Sequence, residues 1–325
     1  MKSKKGKTQM AKKTASAIAR QDRVGWFYVA PFFIHFISFG AIPIIFTTLL
    51  AFFNADMNLY YDFMDTHNMG LLRDAFVGLD NFRQLVDDPY FWLALKNTFS
   101  IWFIATVPQL VLAFGIGSLL ANPYLRASVF WRTMLMVPNI TSVLAIAIVF
   151  QQLFDRDFGM VNMIVHAFGH KEPVEWVNGV IPSHTAIASM IDWRWIGYNS
   201  LIFLAAILAI PKELYESAAL DGAKRSQVLR FVTIPQLRNT ITFMVIMGTI
   251  GGLGLFVEPL IYGGSYDGGA NSQFLTMTLY LFKWAFLNQS LGYGAAIGIG
   301  ITVVVIIISI VNFFITRQIA SEESR

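Results

Sequence analysis

The strongest constraint on this chain is a series of apolar runs long enough to cross a bilayer. They lie at about 25–53, 97–121, 132–154, 185–209, 239–262 and 291–315. Each reaches the roughly 20 residues that a helix needs to span the hydrocarbon core. Lipid offers no hydrogen bonds, so backbone groups in such runs must be satisfied within the protein, which selects helices. The expectation is an all-α, polytopic membrane protein of about six transmembrane helices. A chain that is 55% hydrophobic and only 14% charged fits that class. Pro31 and Pro43 predict a first span that is kinked or tilted. Asp192 and Arg194 are expected near the outer end of the fourth span, whose start falls at 185 or later.

Orientation follows from where lysine and arginine collect, because basic residues stay on the cytoplasmic side. The N-terminal stretch holds Lys2, Lys4, Lys5, Lys7, Lys12, Lys13, Arg20 and Arg23. Arg126 and Arg132 follow span two, and Lys212, Lys224, Arg225, Arg230 and Arg238 follow span four. The opposite side is poorer in basic residues and includes the acidic stretch from Asp56 to Asp88. Both termini and the 211–238 loop are therefore expected in the cytoplasm. Trp26 and Trp131 fall at the inner boundary and Trp92, Trp193 and Trp284 at the outer one, as aromatic belts do. The domain reading is a basic cytoplasmic tail at 1–24, one transmembrane domain at 25–318 and a short cytoplasmic tail at 319–325. The first apolar run is too long for a cleaved signal and is read as a retained span. The chain has no cysteine, which excludes disulfides and thiolate metal sites. Its net charge of +4 reflects membrane anchoring, since no soluble basic face is present for nucleic acid.

The most informative segment lies between spans four and five. Pro211 suits a helix start, and Glu213 and Glu216 sit near the positive end of the helix dipole. Leu214 and Ala218, with Tyr215 and Ala219, recur at the spacing of one helical face. Asp221-Gly222 breaks the helix, since glycine readily takes the left-handed conformation that ends one. A basic amphipathic stretch follows, with Val228, Phe231 and Val232 set against Lys224, Arg225 and Arg230, and Pro235 closes it. A helix–turn–helix with small residues at its centre can seat in a groove on another protein. The bland alternative is a basic loop lying on lipid headgroups.

Glu216-Ser217-Ala218-Ala219, with Asp221, Gly222, Ile234 and Pro235, resembles the EAA loop of membrane subunits of binding-protein-dependent ABC importers. The family pattern is Glu-Ala-Ala, three residues, Gly, nine residues, Ile-x-Leu-Pro. Ser217 replaces Ala, Val232 replaces Ile and Ile234 replaces Leu, while the spacing matches. The string Phe76-Val77-Gly78-Leu79-Asp80-Asn81-Phe82 and the junction Asn97-Thr98 resemble the sugar-type permeases of that group. The resemblance implies the type I permease fold and a sugar or oligosaccharide as cargo. It also implies a cytoplasmic ATPase dimer that grips the loop and binds ATP and Mg itself, leaving this chain without cofactor. A second permease, forming a heterodimer, and an extracytoplasmic solute-binding protein complete the set, in a prokaryotic cytoplasmic membrane. Glu216 is implied as a polar anchor, Ala218 and Ala219 as contact residues, and Gly222 as the bend.

No enzyme is expected. Gly6-Lys7-Thr8 imitates the end of a phosphate-binding loop but lacks its first glycine. His166 and His170 stand four apart with no third ligand at useful spacing, so exposed histidines are the simpler reading. His35 is read as a satisfied interior or cavity-facing polar group. Ionisable groups in spans point better to function, because they are costly in lipid. Glu258 either accepts hydrogen bonds from a sugar or forms a salt bridge, and Pro259 beside it is expected to interrupt span five. Gly248, Gly251, Gly252 and Gly254 provide either helix packing or room for cargo. The resemblance implies a substrate path along Trp193, Gly197, Tyr198, Asn199 and Ser200, then Gly251, Gly252, Leu255 and Glu258. Gln109 and Asn139 are weaker candidates. The competing functional class is an ion-coupled secondary transporter, which the scarcity of carboxylates in the spans disfavours. A membrane-embedded enzyme would need convergent acid, base or metal groups, and none is evident.

Overall fold

The structure is a computed structural model that describes residues 25–322. The basic tail at 1–24, and residues 323–325 of the other tail, lie outside the described residues. Helix α1 (Gly25–Leu50) leads to three short helices, α2 (Met57–Thr66), α3 (Met69–Ala75) and α4 (Asp80–Asp87). The long α5 (Pro89–Leu120) is followed by α6 (Ser128–Ile140), α7 (Val143–Leu153) and α8 (Met160–Ala167). The second long helix, α9 (Val180–Leu208), feeds the pair α10 (Lys212–Leu220) and α11 (225–236). The chain then forms α12 (Arg238–Leu253), α13 (Val257–Gly263), α14 (Met277–Leu287) and α15 (Leu291–Glu322). Among the described residues there is no strand, only isolated bridges at Phe53–Phe76 and Asp56–Ser290. This is the all-α, polytopic architecture that the apolar runs require.

Several spans are not the single rods that their apolar length suggests. Helices α1, α5 and α15 are continuous and apolar enough to cross a membrane. The third run is broken, with α6 and α7 meeting at 91°. Pro138 lies within α6, and Thr141 takes an extended backbone at its end. The fifth run bends by 45° between α12 and α13. Here the break falls at 254–256, not at Pro259, which sits in the first turn of α13 where its missing N–H costs nothing. The fourth helix begins at Val180, earlier than expected, so Asp192 and Arg194 lie in its middle and not near an end. In its first half Ser183 and His184 are closed off from solvent. The last helix runs to Glu322, beyond the expected end of the transmembrane domain. Pro31 and Pro43 leave α1 continuous, and its irregularity is a π-helical turn at Ile37–Ala41.

The bundle is organised around α5 and α9. Gly117 of α5 lies against the Ser200 carbonyl and Phe203 of α9, where an added Cβ would come within 2.8 Å of that oxygen. Small residues allow such close approach of backbones. Gly197, about one turn earlier on α9, abuts the Leu135 backbone of α6. Below this contact Ala113, Phe203, Ile210, Leu237 and Met244 form a buried cluster. By contrast the apolar window of α1 has no buried residue. Its anchoring lies beyond its end, where buried Ala51 packs on Ala295 and Ala296 and Asn81 donates to the Ala51 and Phe53 carbonyls, both at 2.9 Å.

At the end of the bundle far from α10 and α11, the non-helical segment 264–276 is drawn into the core. Phe274, Leu275 and Thr276 are buried there. Irregular backbone at such depth is tolerated only where protein supplies its hydrogen bonds. Asn97 donates to the Ser272 and Leu275 carbonyls at 2.8 and 3.2 Å. Thr98 accepts from the Met277 N–H at 3.0 Å, and Thr276 donates to the Leu255 carbonyl at 2.7 Å. His184 lies 2.8 Å from both Ser100 Oγ and the Gln273 carbonyl. The carbonyl can only accept, so His184 Nε2 carries a proton. Nearby, Asp88 caps α5 through the Tyr90 N–H and receives the hydroxyls of both Tyr280 and Tyr293. These polar groups lock α5, α9, α14 and α15 together.

Candidate functional site

A cavity of about 460 Å³ opens between α5, α9 and the α12–α13 bend. The helical period selects its walls. Trp102, Ala105, Thr106 and Gln109 come from one stripe of α5. Ile191, Arg194, Trp195, Tyr198, Asn199 and Ile202 come from α9, spaced by three or four residues. From α12 come Phe243, Met244, Met247, Gly248, Gly251 and Gly252, and the bend adds Gly254, Leu255 and Glu258. The volume falls in the ordinary range for small-ligand pockets, and so does the lining, which is apolar with a few polar groups.

Those polar groups form two pairs. Asn199 donates to Gln109 Oε1 at 2.9 Å, and Gln109 in turn donates to Asp192 at 3.3 Å. Arg194 and Glu258 approach at 3.4 Å, with side chains only 24% and 11% exposed. Arg194 also lies over the Trp195 ring at 5.6 Å. Two buried nitrogens in the lining, Trp102 Nε1 and Arg194 Nε, find no hydrogen-bond partner among the described residues. Glycine at 252 is what permits the Trp102 ring to lie across α12, since an added Cβ would collide with it.

Six residues of the path implied by the resemblance meet in this cavity, Tyr198, Asn199, Gly251, Gly252, Leu255 and Glu258, and Gly248 and Gly254 join them. Trp193, Gly197 and Ser200 do not line it. The stretch 197–200 was read as a contiguous block, but 100° per residue turns part of it away. Trp193 packs beside Phe150, with ring centroids 6.0 Å apart. Gly197 faces α6, and Ser200 is buried against α5 with its hydroxyl bonded to the Ile196 carbonyl. Gln109 joins the cavity and Asn139 does not. Trp102 and Trp195 went unmarked and Arg194 was marked only as a charge in span four, although Trp102 shares with Gln109 the i, i+7 stripe that could have revealed it. Glu258 forms the salt bridge with Arg194 and also lines the cavity.

The second marked region is the helix pair α10–α11. Glu216, Ser217, Ala219, Asp221 and Gly222 are exposed, as is Ile234, while Ala218 and Pro235 are half-buried. Gly222 has φ +71, the left-handed conformation expected of a bend. Pro211 is the residue just before α10 and not within its first turn. Tyr215 and Thr233 lie 3.3 Å apart through their hydroxyls and tie the two helices. Tyr215 also packs on the cluster containing Leu237 and Met244, so the pair leans on the base of α12. Leu220 and Phe231, at 89% and 67% exposed, present apolar surface around the turn. Among the described residues no group of three metal-ligating side chains is present.

This architecture is that of a membrane transport component. The chain belongs to the family of binding-protein-dependent transport system inner membrane components, whose pattern it matches over residues 94–321. It is 34% identical to the lactose transport system permease protein LacF of Rhizobium radiobacter, over 95% of this chain and 99% of that one. It is 32% identical to the arabinooligosaccharides transport system permease protein AraP of Halalkalibacterium halodurans, over 74% and 76% of the two chains. The fold is shared with a bacterial ABC transporter involved in import of the acidic polysaccharide alginate. That match has a TM-score of 0.72 at 20% identity, covering 94% of this chain and 99% of the other.

Proposed function

We propose that this chain is the permease subunit of an ATP-driven sugar importer, with the cavity between α5, α9 and α12 as its part of the path. Cargo arrives from an extracytoplasmic binding protein, and a second permease completes the channel on the open side of the cavity. A separate ATPase dimer, carrying its own ATP and Mg, grips α10–α11 on the cytoplasmic side. The observation that carries this reading is the continuity between the two regions. The exposed helix pair is fixed to the base of α12 through Tyr215 and Leu237, and α12 forms one wall of the cavity. A push on Glu216 and its neighbours therefore moves a cavity wall, in the rigid-body manner of alternating access. The sugar class is supported by the lining, which offers aromatic faces and hydrogen-bonding side chains together, and by the cargo in the names of the relatives.

The test is gentle extraction of the full chain from its native membrane, mass spectrometry of what accompanies it, and uptake by the reconstituted assembly. Co-purification of an ATPase and ATP-dependent sugar uptake are the expected results. Uptake that persists without ATP but collapses with an ion gradient would instead establish a secondary transporter and remove the coupling role of α10–α11.

A further inference from the structure

Trp102 was selected by neither the spans nor the loop, yet it occupies a singular place in the cavity. Its ring rests on the backbone of α12 at Gly252, and its indole N–H has no acceptor among the described residues. Arg194, on the facing helix, directs one nitrogen to Glu258 and leaves Nε equally unmatched. A buried donor without an acceptor is costly, and a ligand oxygen placed there recovers the loss. The charges decide which oxygens fit. Arg194 and Glu258 are the charged residues in the lining and cancel one another. A carboxylate entering the cavity would meet an arginine already neutralised and a glutamate of its own sign, whereas a hydroxyl or ring oxygen can accept from the two unmatched N–H groups without that repulsion.

We infer that Trp102 and Arg194 form a donor edge that reads the oxygens of an uncharged sugar, while Glu258 rejects acidic ones. This rests on the sugar-importer reading and narrows its substrate class. Gly252 is the notch that sets the height of the indole, and the ring also offers a flat apolar face to the C–H side of a sugar.

The experiment uses the full chain in lipid nanodiscs, with weak binding read by saturation-transfer NMR. The probes are three neutral disaccharides (lactose, maltose and cellobiose) and the acidic sugar galacturonate. The wild type is expected to bind at least one neutral probe and to give no signal with galacturonate. Trp102→Phe keeps a ring but loses the N–H, and should weaken the neutral probe about fivefold. Glu258→Gln leaves Arg194 with an uncancelled charge and should raise galacturonate binding about tenfold or more above the wild-type background. Trp193→Phe, on the far face of α9, should leave both values unchanged and controls for general disturbance. Neutral-probe binding by Trp102→Phe equal to wild type, or a Glu258→Gln variant as blind to galacturonate as the parent, would overturn the inference alone. A wild type that binds none of the four sugars would overturn the sugar reading itself, and this inference with it.

Discussion

The segment 264–276 and the helix pair α10–α11 are both connections between spans, yet they are held in opposite ways. The first is irregular backbone, buried from Gln273 to Thr276, and secured by Asn97, Thr98, His184 and Thr276. The second is helical, with a π-helical turn at Leu229–Thr233, largely exposed, and held by the Tyr215–Thr233 hydroxyl contact and the packing of Tyr215. Unsatisfied backbone inside a bundle costs too much to leave open, so the buried connection must be fully partnered by its own chain. An exposed helix pair satisfies its own backbone and can keep its side chains for another protein. The contrast separates a region locked within the bundle from one left exposed at its surface.

Breaking the buried connection should be the more damaging change. Gly268 has φ +78 and sits on the Leu275 backbone, so Gly268→Val adds both strain and a collision. The expected loss is about 3 kcal/mol or more, read as a lower thermal unfolding midpoint in detergent and poor recovery of monodisperse protein. Asn97→Ala strips the Ser272 and Leu275 carbonyls of their shared donor. With each buried orphan costing about 1–3 kcal/mol, this variant should rank next in the same melt. A wild-type midpoint for either would show that the segment is not a structural lock.

The exposed connection should give the reverse pattern. An added Cβ at Gly222 meets open space, so Gly222→Val carries only the conformational penalty, about 1–2 kcal/mol. Its melt should stay near that of the parent while sugar uptake falls about tenfold or more and ATP hydrolysis by the assembly continues. Uptake at the wild-type rate would sink the idea that the bend transmits force. The mildest change is Tyr215→Phe, which removes the contact to Thr233 at a cost below about 1 kcal/mol. It should lower uptake by a factor of two or three without altering assembly. A loss as large as that at Gly222 would mean the hydroxyl pair, and not the bend, carries the coupling.

Much of this protein was legible before any coordinates. Apolar runs near 20 residues dictate membrane helices because lipid leaves the backbone no alternative, and Asp221-Gly222 announced a turn because few other residues accept its conformation. The spacing around Gly222 also carried the family resemblance. What the sequence could not decide depends on which groups face one another across helices. The break at 254–256 was invisible beside the more conspicuous Pro259, since a proline in a first turn and one in a helix centre read alike. The family resemblance implied Trp193, Gly197 and Ser200 as path residues, and the helical rotation turns them toward Phe150, α6 and α5. His184 and Trp102 carried no local signal at all, as the meaning of each lies in partners 89 and 150 residues away. The sequence determined that this chain crosses a membrane in helices with an exposed hinge between two of them. Tertiary packing alone decided which side chains meet at the cavity, because burial and facing are properties of pairs of helices and not of either helix alone.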